Sequence, residues 1–119
     1  MGTLTLLRHG QTDYNAKSLF QGRVDEPLNA VGEAQAQRAA DAIGNVDRVI
    51  SSPLKRARKT AEAFGVAPEI DSSWIECNFG DWEGKPISSI DGEKWEEYKS
   101  NPDYQPPEGE SINEVNSRV

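Results

Sequence analysis

The chain has 119 residues, which is enough for one small domain and short for two. Hydrophobic residues make up 35% and the net charge is −7 at pH 7, so the core is lean and the surface repels nucleic acid and anionic membranes. Cys77 is the only cysteine, which excludes an internal disulfide, and no apolar run approaches the roughly 18 residues of a membrane span. We therefore expect a cytoplasmic protein without nucleic-acid or membrane partners.

The first predicted element is a short strand over residues 3–7, buried in a parallel sheet. Its apolar run, Leu4 to Leu7, ends in Arg8, His9 and Gly10. Ligands collect at the carboxyl ends of strands in open α/β sheets, so this order would deliver a cation and an imidazole into a crevice. Residues 8–28 are mostly polar and small, which predicts a long loop of the kind that tends to be functional.

The next residues predict two helices separated by a second strand. Asn29 is a suitable N-cap for a helix over Ala30–Ile43, and Gly44 would close it. Val46–Ser51 predicts a short strand. Ser52-Pro53 then opens a helix whose apolar residues recur at helical spacing as far as Phe64, with Gly65 after it. This alternation of strands and helices predicts an α/β fold with a mainly parallel sheet.

The second half of the chain predicts less regular structure. Residues 66–86 indicate extended pieces and turns, residues 93–98 a short helix, and the three prolines of residues 101–107 a loop. Ser111 and Glu114 form a capping-box pattern that would begin a last helix.

His9 is the candidate nucleophile, because a neutral imidazole can attack phosphorus near neutral pH. Arg8 and Arg56 are candidate phosphate ligands, since a guanidinium bonds two anionic oxygens at once. From the residues alone the alternatives stay open. A histidine at a strand end is more often structural than catalytic, and the basic residues around Arg56 would usually form a solvated helix face.

Five segments, in order, resemble the histidine phosphatase superfamily, the phosphoglycerate mutase-like proteins. The first, with the signature Leu7-Arg8-His9-Gly10-Gln11-Thr12, has Asn15 downstream of it. Four more segments are similar to that family, and they are residues 20–36, 51–61, 76–84 and 107–111. The resemblance implies a three-layer α/β sandwich, a small phosphorylated substrate, and neither a cofactor nor a metal.

The resemblance also implies a role for each matching residue. His9 would carry the phosphoryl group transiently, while Arg8 and Arg56 bind its oxygens. Glu76 would give a proton to the leaving oxygen and then activate water, and partial burial should raise its pKa for that work. The substrate-binding residues implied are Gln11, Thr12, Asn15, Gln21 and Gly22.

The sequence departs from the family pattern in one respect, because the family's pocket contains a second histidine and this chain has only His9. We therefore expect residues 1–119 to be the amino-terminal part of a histidine phosphatase-like domain whose later strands lie outside this sequence. An exposed edge on the first strand would then favour self-association, so a homo-oligomer is one expectation.

Four functions are compatible with these residues and this resemblance. We favour a phosphomonoester hydrolase, because the segment between Gly84 and Pro107 is short and a short lid favours release of phosphate to water. A phosphoglycerate mutase, an isomerase, is the first alternative. The second is an inactive or phosphate-binding-only fragment, since losing one oxyanion donor commonly costs on the order of a hundredfold to a thousandfold in rate. A regulatory binding module has only the exposed edge to support it. We expect little or no activity from the 119 residues alone.

Overall fold

The computed structural model describes residues 2–119 as an α/β arrangement with a small parallel sheet. Three short 3₁₀ turns lie within residues 72–89. The helices and strands, in chain order, are α1 (Asp13–Ala16), α2 (Ala30–Ile43), β1 (Ile50–Ser51), α3 (Lys55–Glu62), β2 (Glu69–Ile70), α4 (Gly92–Ser100) and α5 (Ile112–Arg118).

The sheet consists of β1 and β2, which pair in parallel with Ile50 opposite Glu69 and Ser51 opposite Ile70. Helix α3 makes the crossover between them, and it packs on α2. The predicted α/β class with parallel strands is thus confirmed. The predicted strand over Val46–Ser51 is shorter than expected, because only two of its residues have a partner in β2.

The prediction of a buried first strand is wrong for the described residues. Residues 3–7 join no ladder, and Leu4, Leu6 and Leu7 are 83%, 75% and 45% exposed. The apolar pattern reports a preference for burial, but a strand forms only where a neighbouring strand supplies hydrogen bonds. Within residues 2–119, no such neighbour pairs with this segment.

Helix α2 has the predicted bounds, because its two ends are set locally. The Asn29 side chain accepts a hydrogen bond from the Gly32 amide, and Gly44 ends the helix with a positive φ of 79°. Ala36 and Ala40 are buried on its inner face, as is Ala61 of α3. Small side chains on both helices allow the close approach that a lean core needs.

A second core consists of aromatic rings contributed by the loop before α2, by residues 79–82 and by α4. The ring centroid of Phe20 lies 5.4 Å from that of Trp82 and 5.6 Å from that of Trp95. Trp95 stacks on Tyr98 with an interplanar angle of 11°. These contacts anchor α4 against the segment that follows Glu76. No helix within residues 2–119 has the length and apolar character needed to cross a bilayer.

Candidate functional site

His9 lies at the end of the first apolar run with its ring partly buried. Its Nδ1 is 2.6 Å from the carbonyl oxygen of Gly10. A carbonyl oxygen can only accept, so Nδ1 carries the proton, and Nε2 of the neutral ring carries the lone pair. The local backbone thereby selects the tautomer in which Nε2 is the nucleophilic atom.

Gly10 fixes the backbone on which His9 stands. Its amide donates to the Thr60 hydroxyl at 3.0 Å, and that hydroxyl donates to the carbonyl of Arg56 at 2.7 Å. On its other side, a Cβ at Gly10 would lie 2.3 Å from the carbonyl oxygen of Gly32, so only glycine fits between this turn and α2. The chain after His9 is therefore held between α2 and α3.

Arg56 is buried in the first turn of α3, with 2% of its surface exposed. Its Nη1 donates to the carbonyl of Val24 at 2.8 Å and its Nη2 to that of Gly22 at 2.6 Å. These two bonds use two of the five N–H donors of a guanidinium. Gly22 has a φ of 47°, a conformation that glycine adopts without strain.

The start of α3 differs from the local cap that Ser52-Pro53 predicts. The helix begins at Lys55, and Leu54 at its N-cap makes no side-chain capping bond. Instead the carboxylate of Asp25 accepts from the Lys55 amide at 2.7 Å. The loop that contains Gly22 and Val24 is therefore attached to α3 both by Asp25 and by Arg56.

Charges on three other predicted residues influence the pKa of His9, although Arg56 and Glu76 are not among the residues that line the cleft next to it. Burial is the main cause that lowers the pKa of His9, and the positive charges of Arg56 and Arg8 lower it further. The Gly10 carbonyl and the charge of Glu76 act in the opposite direction. Burial also lowers the pKa of Arg56, against the raising effect of Glu76. The charges of Arg8, Arg56 and Glu76 thus all act on the His9 ring.

Two of the predicted substrate-binding side chains are buried inside the loop. Thr12 is fully buried, and its hydroxyl donates to the Gln21 side-chain carbonyl at 2.6 Å and accepts from the Asn15 amide as the N-cap of α1. Gln21 is 7% exposed. Thr12 and Gln21 bond to each other within the loop, whereas Asn15 and Gln11 are more accessible and line a cleft.

This cleft has a volume of about 400 Å³ and lies beside the first apolar run and α2. Leu7, Arg8, His9, Gln11 and Asn15 are among its lining residues. The side chain of Arg8 is exposed. Within residues 2–119, no group of three or more His, Cys, Asp or Glu side chains could hold a metal ion.

Glu76 is exposed, so the partial burial expected for it is not found. Its Oε1 accepts from the amide of Cys77 at 2.8 Å. The thiol of Cys77 is buried, and burial raises its pKa to about 11, so Cys77 is a packed and unreactive side chain.

Several supporting residues were not identified from the sequence as hydrogen-bond partners, because each acts across a long chain separation. They are Thr60 at Gly10, Asp25 at α3, and three charged residues that contact the backbone of the Glu76 segment, Arg23, Glu110 and Arg118. The resembling segments include most of them, but no local pattern indicates which backbone group each would contact.

The model of the histidine phosphatase superfamily (branch 1) matches residues 4–119. The chain belongs to this superfamily. It is 35% identical to the uncharacterized phosphatase PhoE of Bacillus subtilis, over all of this chain and 61% of that protein. It is 40% identical to an Escherichia coli protein named "Probable phosphoglycerate mutase GpmB", over 96% of this chain and 58% of that one.

A solved structure of mycobacterial glucosyl-3-phosphoglycerate phosphatase in complex with VO3 has the same fold, with a TM-score of 0.86 and 34% identity. The match covers 92% of this chain and 59% of that chain. The chain thus spans about six tenths of the length of these relatives. The predicted family and its phosphoglycerate mutase-like fold are confirmed, and the named relatives include both phosphatases and mutases.

Proposed function

We propose that this chain is a histidine phosphatase-like domain that transfers a phosphoryl group from a phosphomonoester to His9 and then to water. The observation that carries the proposal is the hydrogen bond from His9 Nδ1 to the Gly10 carbonyl. It leaves Nε2 unprotonated in a ring whose lowered pKa keeps it neutral near pH 7. Both conditions are needed for a nucleophilic imidazole.

The positive charge for the phosphoryl oxygens would come from Arg56 and Arg8. Arg56 is held rigidly by its two loop carbonyls, so its remaining N–H donors are preorganised. Arg8 is exposed and adjacent to His9, so it can reach an incoming ester from the solvent side. The rest of the surface carries a net negative charge, which makes this local positive cluster the attractive region for an anion.

In the proposed reaction, the lone pair of His9 Nε2 forms the bond to phosphorus while the bond from phosphorus to the ester oxygen breaks. Protonated Glu76 gives its proton to the departing oxygen. The resulting carboxylate then takes a proton from water, whose oxygen attacks the phosphohistidine, and the bond from phosphorus to Nε2 breaks. The products are an alcohol and inorganic phosphate. The exposure of Glu76 allows it to meet both the leaving group and water.

Within the loop, we propose that Gln11 and Asn15 contact the substrate from the cleft, while Gly22 supplies its carbonyl to Arg56. Thr12 and Gln21 would support the loop from inside, because their buried side chains bond to each other.

We favour hydrolysis over isomerisation as the reaction because of the segment between Gly84 and Pro107. Its regular elements are a 3₁₀ turn and the nine-residue helix α4, which packs through Trp95 and Tyr98 on Trp82. A short, anchored segment leaves the phosphohistidine open to water. The identity to a protein named as a mutase keeps phosphoglycerate isomerisation as the second candidate.

The test is the detection of phosphohistidine. The chain is incubated with p-nitrophenyl phosphate, and intact mass spectrometry under neutral conditions measures the addition of one phosphoryl group. We expect acid-labile labelling of the wild type and none of His9→Asn, whose amide can still donate to the Gly10 carbonyl. Arg58→Ala, an exposed change on α3, is the matched control and should label as the wild type does.

Turnover should be slow, since no second histidine is present to stabilise the phosphoryl oxygens. Label on any residue other than His9 would contradict the proposal. Binding of phosphate without labelling would identify a phosphate-binding-only protein. Interconversion of phosphoglycerates that is faster than phosphate release would favour the mutase.

A further inference from the structure

The segment that carries Glu76 is held by a cluster of three charged residues, Arg23, Glu110 and Arg118. One oxygen of Glu110 accepts from Arg23 at 2.9 Å, and the other accepts from Arg118 at 2.6 Å. The Glu110 side chain is only 19% exposed. Both pairs are therefore less screened than a surface ion pair, and the carboxylate fixes both guanidinium groups.

Both arginines also donate to the backbone next to Glu76. Arg23 Nε donates to the Glu76 carbonyl at 2.8 Å. Arg118 Nη2 donates to the carbonyl of Ile75 at 2.6 Å and to that of Glu76 at 3.2 Å. Two guanidinium groups from distant parts of the chain thus converge on one turn of backbone.

Glu110 also contacts the other end of this turn directly. Its Oε1 accepts from the amide of Asn78 at 2.8 Å, and its own amide donates to the Asn78 carbonyl at 2.7 Å. The Glu76 carboxylate itself bonds only to the neighbouring Cys77 amide among the described contacts. Residues 75–78 are therefore fixed on both sides, while the Glu76 side chain stays exposed apart from its bond to the Cys77 amide.

We propose that Glu110 is a positioning residue that, through Arg23 and Arg118, sets the place of the Glu76 carboxyl relative to the leaving oxygen. This inference rests on the proposed role of Glu76 as the proton donor. Glu110 also engages both arginines, one on each oxygen, which would otherwise be free to pair with the Glu76 carboxylate and hold it away from the ester. Glu110 itself touches neither the substrate nor the phosphoryl group.

The experiment compares two esters, because only one of them needs a proton on its leaving group. Dinitrophenyl phosphate releases a stable phenolate, whereas glycerol phosphate must release an alcohol. The quantity kcat/KM reports the steps up to leaving-group departure and is measured by phosphate release. For Glu110→Gln we expect a loss of about 10- to 100-fold on glycerol phosphate and a much smaller loss on dinitrophenyl phosphate.

The controls separate positioning from folding. Glu69→Gln removes an exposed carboxylate from its ion pair with Arg48, at 2.8 Å, and should leave both esters unaffected. Arg23→Lys keeps the charge but cannot bond both the Glu76 carbonyl and the Glu110 carboxylate as Arg23 does. It should also lose kcat/KM selectively on glycerol phosphate, but by less than Glu110→Gln does. Adding Glu110→Gln to Glu76→Gln should lower kcat/KM on glycerol phosphate little further, since both changes act through the same proton transfer.

The outcomes distinguish this inference from the proposed function. An equal loss on both esters, or no loss on either, in a Glu110→Gln protein that still shows the selective Glu76→Gln effect overturns the positioning role alone. A wild type that neither hydrolyses an ester nor acquires the phosphoryl label on His9 overturns the proposed function. Where neither ester is hydrolysed, hydrogen exchange decides about the cluster. Faster exchange at the Asn78 and Cys77 amides in Glu110→Gln but not in Glu69→Gln supports the positioning role, and unchanged exchange overturns it.

Discussion

Replacement of the buried Arg56 by methionine should strongly destabilise the protein, because it leaves the carbonyls of Gly22 and Val24 without donors. An unsatisfied buried polar group costs about 1–3 kcal/mol, so two such groups cost about 2–6 kcal/mol. Part of this is offset, since a desolvated charge is removed as well. We expect a net loss of about 3 kcal/mol, a large share of the roughly 5–15 kcal/mol that stabilises a native protein.

The measurement is urea unfolding, with the free energy of unfolding taken from the midpoint at an unchanged m-value. Arg56→Lys keeps the charge but supplies a single donor group, so we expect it to lose about half as much. Arg58→Met, exposed on the same helix, is the matched control and should stay within about 0.5 kcal/mol of the wild type. The reasoning fails if Arg56→Met lies within about 1 kcal/mol of Arg58→Met.

Two further predictions concern Gly32 and His9. A Cβ at Gly32 would lie 2.0 Å from the carbonyl oxygen of Gln11, so Gly32→Ala should lower the free energy of unfolding in urea by about 1–3 kcal/mol. Gly92→Ala places its Cβ in open space and should not lower it. The pKa of His9 is lowered on folding, so the unfolded chain binds more protons below pH 6.5 and stability falls as the pH falls from 6.5 towards the folded pKa. The wild type should therefore lose more stability than His9→Asn between pH 7 and pH 5, and an equal loss in both would refute this.

The elements that could be predicted from the sequence are those whose ends are set by neighbouring residues. Asn29 caps α2 three residues from the amide it bonds, and Ser111 does the same for α5 by accepting from the Glu114 amide. Helix α4 was predicted over residues 93–98 and extends over Gly92–Ser100 because Asp91 caps it. Such signals span a single turn and are visible in a linear sequence.

The elements that could not be predicted depend on groups far away in the chain. The amide of Lys55, the first residue of α3, is bonded by Asp25, thirty residues earlier, while the adjacent Ser52 hydroxyl accepts only from the Leu54 amide before the helix. The apolar residues 3–7 predict a strand, yet strand formation depends on a partner that a local pattern cannot supply. In the same way, His9, Arg56 and Glu76 stand out as residue types, whereas the partners that fix them, Thr60 and Glu110, do not.

The contrast between Arg56 and Glu76 fits the work proposed for each. A group that holds an anion through both half-reactions gains from a fixed position, and Arg56 is buried with its guanidinium bonded to the loop. A group that gives a proton to an alcohol and then takes one from water must meet both, and Glu76 is exposed. Packing against buried neighbours therefore cannot hold the Glu76 carboxyl in position. Its place has to come from its backbone, which is the part of the segment that Arg23, Glu110 and Arg118 contact.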